Sequence, residues 1–194
     1  MSVFLKPWCG VNIDVTNAIR KDFDFSQILT PSPKIFSYFG ESREELFSAE
    51  WLNYMDSIGV GIAGALVFWR PSNYQHPTAH VDSPSEGSNE LSAALNWCIG
   101  QDSGQMVWYN LPETEGKIDQ TMVKSNYREW DPETLVEVDR RVIGNNCTLV
   151  RVDIPHNIIM SDSPRLLVTA RTLETFQNWG QINEYFRPLL NNPT

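Results

Sequence analysis

Histidine is scarce in this chain. Only three occur in 194 residues, His76, His80 and His156, so each placement can be weighed singly. Cysteine is as scarce, and Cys9, Cys98 and Cys147 are odd in number and widely spaced, which argues against a disulfide framework. A reducing compartment, the cytoplasm, is the expected location. No stretch approaches the roughly 18 consecutive apolar residues of a membrane span, and the first residues, Met1 to Asp14, lack the apolar core of a secretory signal. Basic charge is also thin. Lysine and arginine number 15 against 24 acidic residues, a formal net charge of −9, and no basic run is longer than Arg140-Arg141. A protein built to hold a phosphate backbone carries the opposite balance, so nucleic acid is not the expected partner.

What is present describes an ordinary globular chain. A hydrophobic content of 41% with 11% aromatics is enough for one domain with a real core. Val11, Ile13 and Val15 alternate with polar residues as a short strand would. Ser42 and Glu45 have capping-box spacing, and Leu46, Phe47, Trp51, Tyr54, Met55 and Ile58 recur at helical spacing behind them. Gly59 is expected to end that helix. Strands are expected over Val60 to Trp69, Leu91 to Ile99, Gln105 to Leu111, Cys147 to Ile154 and Leu166 to Ala170. Leu135 to Val142 reads as a strand or a short helix, and the polar stretch 112–133 reads as an insertion over a site mouth. From Thr172 a helical face, Leu173, Phe176, Trp179, Ile182 and Phe186, runs to Pro188. One domain results: a strand and helix buttress over 1–58, a β core over 59–172 and a terminal helix over 173–190. Helices bracketing many short strands point to a mainly β fold, a jelly-roll-like double sheet.

Alternate side chains of a strand share one face, so His80 and Asp82 can address one spot, and a later strand can bring His156 to it. Two imidazoles and one carboxylate on one side of a metal form the ligand set of non-haem Fe(II) oxygenases, with three positions left free. Zinc tolerates the same ligands. The competing reading makes His80 and Asp82 a hydrogen-bonded pair at a strand end. Arg165 and Arg171 offer two cationic forks for an acidic co-substrate, and a hairpin is expected to bring Arg165 beside the strand of His156. His76, in a proline-flanked loop, is the other candidate ligand, or else a second-layer donor or a solvent-exposed loop residue.

His80-Val81-Asp82, the strands ending at Glu113, Pro155-His156 and Arg165 together resemble the Fe(II)/2-oxoglutarate-dependent dioxygenases, in particular compact prolyl-hydroxylase-like members, over about residues 59 to 172. The resemblance implies a double-stranded β-helix, cupin-like, with Fe(II) on His80, Asp82 and His156. It implies that Arg165 grips the distal carboxylate of 2-oxoglutarate, with Arg171 as the alternative grip or an ion pair. Asn96 stands where family members place another polar contact to the co-substrate, or is a satisfied polar residue of a sheet. Tyr109 could supply a phenol to the same pocket, or pack in the core beside Trp108. Asp82 is the carboxylate that the halogenating branch lacks, which implies hydroxylation or desaturation. The implied partners are dioxygen and a small polar substrate such as a free amino acid, with a peptidyl side chain as runner-up. Two other classes stay open: a cupin-type metalloenzyme using three histidines without 2-oxoglutarate, and a non-catalytic binding barrel.

Overall fold

The computed structural model describes residues 6–25, 36–39, 42–75, 77–82, 90–100, 104–120 and 126–191. The fold is mainly β, two antiparallel six-stranded sheets with few helices. The first sheet has the order β1 (Trp8–Gly10), β10 (Thr148–Val150), β5 (Leu91–Ile99), β12 (Arg165–Phe176), β3 (Ile62–Arg70), β2 (Phe36–Phe39). The second has the order β7 (Lys117–Gln120), β8 (Asn126–Trp130), β4 (Ala79–Asp82), β11 (His156–Ile159), β6 (Gln105–Tyr109), β9 (Glu137–Val142). Two runs of consecutive strands alternate between the sheets, whereas β6 to β9 all stay in the second. β3 is followed across the sandwich by β4, then β5 and β6, and later β10, β11 and β12 alternate in the same way.

The first sheet is buried on both faces, and this explains its nearly continuous apolar strands. On its outer face Ala65, Val67, Leu95, Val168 and Ala170 pack under α2 (Ala49–Ser57) and α3 (Trp179–Phe186). On its inner face Ala94, Cys98 and Leu167 meet Met106 and Trp108 from the second sheet. Leu166, Val168 and Ala170 thus point one way, and Arg165, Leu167, Thr169 and Arg171 the other, into a cavity between the sheets.

Several expected elements take a different form. The single helix after Ser42 is two: α1 (Arg43–Leu46) and α2, broken at Phe47 and Ser48. Ser42 makes no side-chain cap, whereas the Ser48 hydroxyl accepts from Trp51 N at 3.1 Å and donates to Asn17 O at 2.7 Å. A second N-cap inside the periodic run restarts the helix, and Phe47 and Trp51 still reach the core, stacking on each other and on Trp97. Gly59, at φ 78°, supplies the left-handed turn that ends α2. Val11 makes only an isolated bridge, so the strand expected over Val11 to Val15 is absent and β1 lies earlier.

At the C-terminal end β12 continues to Phe176, so the helical face expected from Thr172 begins only at Trp179. A bulge after Arg171 shifts the register, and Thr175 and Phe176 go on pairing with Ser92 and Leu91. Leu173 is accordingly exposed, and Pro188 sits in a 3₁₀ turn, Arg187–Leu189, after the helix. Part of stretch 112–133 forms the β7–β8 hairpin, which extends the second sheet beside β4. Residues 135–142 resolve as strand β9 from Glu137. Among the described residues no helix is long and apolar enough to cross a membrane, and Cys9, Cys98 and Cys147 form no disulfide.

Candidate metal centre

β4 carries His80 and Asp82 on one face, and β11 runs antiparallel beside it with His156 as the register partner of His80. The two imidazole centroids stand 4.6 Å apart, and His80 Nε2 lies 3.6 Å from Asp82 Oδ1. One ligand atom from each of His80, Asp82 and His156 falls within 4.8 Å of the others. Donors on opposite sides of one ion, each about 2.1 Å away, stand about 4.2 Å apart. The three atoms therefore need only small side-chain adjustments to share an ion, and the donor set suits a divalent metal of intermediate hardness.

The protonation states fit the same role. His156 Nδ1 lies 3.0 Å from the Ile154 carbonyl. A carbonyl only accepts, so Nδ1 carries the proton and Nε2 keeps its lone pair for a metal. Burial holds the His156 imidazolium below its ordinary value, against the pull of Asp82, so the ring is neutral at neutral pH. Burial works to raise the Asp82 carboxyl, but Arg171, His156 and His80 outweigh it and hold it at about 2. The carboxylate is divided between partners: Oδ1 faces His80, while Oδ2 accepts from Arg171 Nη2.

The three ligands share a cavity of about 90 Å³ with Asn96, Arg165 and Arg171. The two arginines reach it from β12, the opposite sheet, so the hairpin expected to set Arg165 beside His156 is replaced by an approach across the sandwich. Their Cα atoms lie six strand positions apart, about 20 Å by strand rise, with Arg171 beside Asp82. Arg165 is at the deeper end, only 2% exposed. Its Nε donates to Cys98 Sγ at 3.2 Å, and that thiol donates to the Ile143 carbonyl at 2.8 Å. Arg165 Nη2 and Asn96 Oδ1 are buried without a hydrogen-bond partner among the described residues. An unmet buried donor on a cation is costly unless a ligand meets it.

Tyr109 does not reach this cavity. Met106 and Trp108 of β6 point between the sheets, so Tyr109 points to the outer face. It packs there against Ala79 and Val107, and its hydroxyl donates to Asn157 Oδ1 at 3.1 Å. His76 and most of the polar loop after Asp82 lie outside the described residues. One charged residue of the cavity had no place in the sequence reading. Arg70 ends β3 in the same phase as Phe68, is the register partner of Arg165, and lines the same cavity. Its parity with Phe68 was the available signal, hidden because the apolar run gives no hint of which phase faces a cavity.

No model of a known protein family matches this chain, and a search of curated proteins finds no match.

Proposed function

We propose that the chain is an Fe(II)- and 2-oxoglutarate-dependent dioxygenase that hydroxylates a C–H bond of a small polar substrate, such as a free amino acid. The observation that carries this reading is a conjunction in one cavity: two imidazoles and a carboxylate at one position, and deeper in, a buried guanidinium with an unmet donor. A bare metal site needs no such cation, and a bare anion site needs no such ligands. An acidic co-substrate that chelates a metal uses both. The alternation of β3 to β6 and β10 to β12 between two facing sheets supports a jelly roll, the double-stranded β-helix of this enzyme class.

Iron bound with 2-oxoglutarate supplies the activation of dioxygen that an unactivated C–H bond requires. The chain's own residues do the rest. His80, Asp82 and His156 hold one side of the ion and leave the other side to ligands. Arg171 fixes the Asp82 carboxylate by its second oxygen, which orients the first. Arg165 neutralises the distal carboxylate of the co-substrate, and the Asn96 amide offers a further polar contact beside it. Met106, Val152, Ile158 and Leu167 line the remaining wall and exclude water from the reacting centre.

Anaerobic titration of metal-free protein with Fe(II) and then 2-oxoglutarate tests this. The expected result is a weak visible charge-transfer band that His80→Ala abolishes. A wild type without the band, or an undiminished band in the variant, overturns the reading. A panel of amino acids and peptides, scored by substrate-dependent succinate release, then identifies the substrate class.

A further inference from the structure

Solvent reaches the cavity at the end away from Arg165. Side-chain exposure is 22% for Arg171, 23% for His80 and 35% for Asp82, whereas Arg165 is 2% exposed. A substrate therefore arrives beside Arg171. That arginine stands in a trough of the first sheet. Its register partners are Gly64 on β3 and Ala94 on β5, and directly opposed residues on neighbouring strands point to the same face. Neither partner has a side chain long enough to reach a guanidinium. Among the described residues Arg171 hydrogen-bonds only to Asp82 Oδ2, through Nη2, so its other N–H donors are left for something else.

Nothing in the packing accounts for the glycine. A strand interior disfavours glycine, which has no side chain to pack and more freedom to lose. Gly64 keeps φ out of the left-handed region, so its backbone asks for no glycine. A Cβ built on it would meet no atom of the described residues nearer than Arg171 Cβ at 3.9 Å, an ordinary van der Waals contact. The neighbouring bulge does not need it either, since the register passes from Gly64 to Ile62 and leaves Ala63 as the extra residue. What the missing side chain leaves is space beside a guanidinium.

The charges at this end favour an anion in that space. A divalent ion on one carboxylate and neutral imidazoles, with Arg171 alongside, carries a positive surplus. The single carboxylate at the chelating end of a 2-oxo acid reduces this surplus without cancelling it. Two other carboxylates of the second sheet are already engaged. Glu129, the register partner of His80, takes Lys117 at 3.5 Å and the Thr78 hydroxyl at 3.0 Å, and Asp153, whose charge His156 feels, takes Arg151 at 2.8 Å.

We infer that Arg171 and the space over Gly64 form the seat for a carboxylate of the primary substrate. The substrate is then a small organic acid, such as an amino acid recognised through its carboxylate, and Gly64 is a specificity residue. The inference rests on the oxygenase reading and adds what holds the substrate. Arg171 grips two carboxylates at once, Asp82 through Nη2 and the substrate through its remaining donors. The position of the substrate is thereby tied to that of a metal ligand.

The test uses Fe(II)-loaded protein with 2-oxoglutarate under anaerobic conditions, and the probes are the L-amino acids and their carboxamides. Binding is read as perturbation of the visible charge-transfer band. One or more acids are expected to perturb it, and their amides to need about tenfold higher concentration or more. Gly64→Val fills the space, and is expected to weaken the acid response about tenfold or more while leaving 2-oxoglutarate affinity unchanged. Gly64→Ala is expected to give a smaller loss, and keeps the test should the valine variant fail to fold. Metal-free Gly64→Ala in chelator is expected to melt no lower than wild type, because the backbone accepts the side chain. Amides acting as well as acids, a panel in which no acid acts, acid responses unchanged in both variants, 2-oxoglutarate weakened as much as the acid, or a metal-free alanine variant melting several degrees lower each overturns the seat and leaves the oxygenase reading intact. A wild type without the band overturns both.

Discussion

Replacing Arg165 with methionine separates a ligand-binding arginine from a structural one, because the two roles predict opposite signs. If Arg165 is retained for a ligand, the ligand-free protein carries an uncompensated cost. Nη2 is buried without a partner among the described residues, a penalty of about 1–3 kcal/mol. Repulsion from Arg70 on the neighbouring strand adds about 2–3 kcal/mol at an effective dielectric near 20 and a separation near 6 Å, reduced because Arg70 is only half-buried. Against this, the variant loses one weak N–H···S contact to Cys98, while methionine keeps most of the packing of the arginine stem. The expected balance is a gain of about 1–4 kcal/mol, the range found when buried charges give way to apolar residues. For a chain of this size that raises Tm by about 2–4 °C per kcal/mol. Calorimetric or circular-dichroism melting in chelator reads the apo stability, and repeating it with 2-oxoglutarate reads the ligand response. Arg165→Met should melt higher than wild type without ligand and show no shift with it. An apo variant that melts several degrees lower refutes the reasoning, since Arg165 then supports the fold itself.

Three further outcomes follow from the geometry. Arg171→Leu removes the partner of Asp82 Oδ2 and should let the Asp82 carboxyl rise from about 2 toward the ordinary carboxylate range. Competition against a chelator should show metal affinity falling about 10–100-fold, the usual effect of losing a group that orients a ligand. His156 is depressed by burial, so its contribution to stability is complete above the ordinary imidazole value near 6.5 and is lost as pH falls below that toward the folded value. Urea unfolding of metal-free protein at pH 7.5 and 5.5 should show this loss in wild type, and a smaller one in His156→Phe. Equal losses in both proteins would sink the assignment. Tyr109→Phe deletes only the hydrogen bond to Asn157. It should cost about 1 kcal/mol in denaturant titration and leave 2-oxoglutarate affinity unchanged, whereas a weakened affinity would bring Tyr109 back to the cavity.

The parity of a strand made the core of the site legible. His80 and Asp82 two apart, and Arg165 and Arg171 in a run of β-formers, could be placed on common faces because side chains alternate strictly. Sheet membership was not legible in the same way. Arg165 follows His156 closely enough for a hairpin, and nothing local says that β11 and β12 belong to different sheets, since that choice is made by long-range pairing with β6 and β3. The two places open to Tyr109, the pocket and the core, were not separable for a related reason, and it packs in the core. Trp108 and Tyr109 are equally aromatic, and only the packing partners decide which of them faces inward. The helical spacing of Leu173 and Phe176 was real but irrelevant: β5 offered Thr175 and Phe176 backbone partners, and tertiary pairing overrode the period. Ser48 beat Ser42 as a cap because its hydroxyl has a second use, bonding Asn17 in the N-terminal segment.

The arrangement of the first sheet explains why its polar residues carry so much information. A strand with one face in water can hold polar side chains on that face at little cost. β5 from Ala93 to Cys98 and β12 from Arg165 to Ala170 have no such face, since helices cover one side and the second sheet covers the other. Every polar group on them must be hydrogen-bonded or remain costly. Thr172 meets the demand, its hydroxyl accepting from Ala93 N and donating to Glu174 O. Asn96 Oδ1 and Arg165 Nη2 do not meet it among the described residues, and both lie on the cavity side. The outer face of the same strands holds Leu95, Val168 and Ala170, all closely packed. The unmet atoms of Asn96 and Arg165 lie opposite a cluster of metal-competent ligands, which supports reading the cavity side as the side that takes a ligand. An apolar replacement at Asn96 should therefore cost the empty protein nothing and be felt only when a ligand is present.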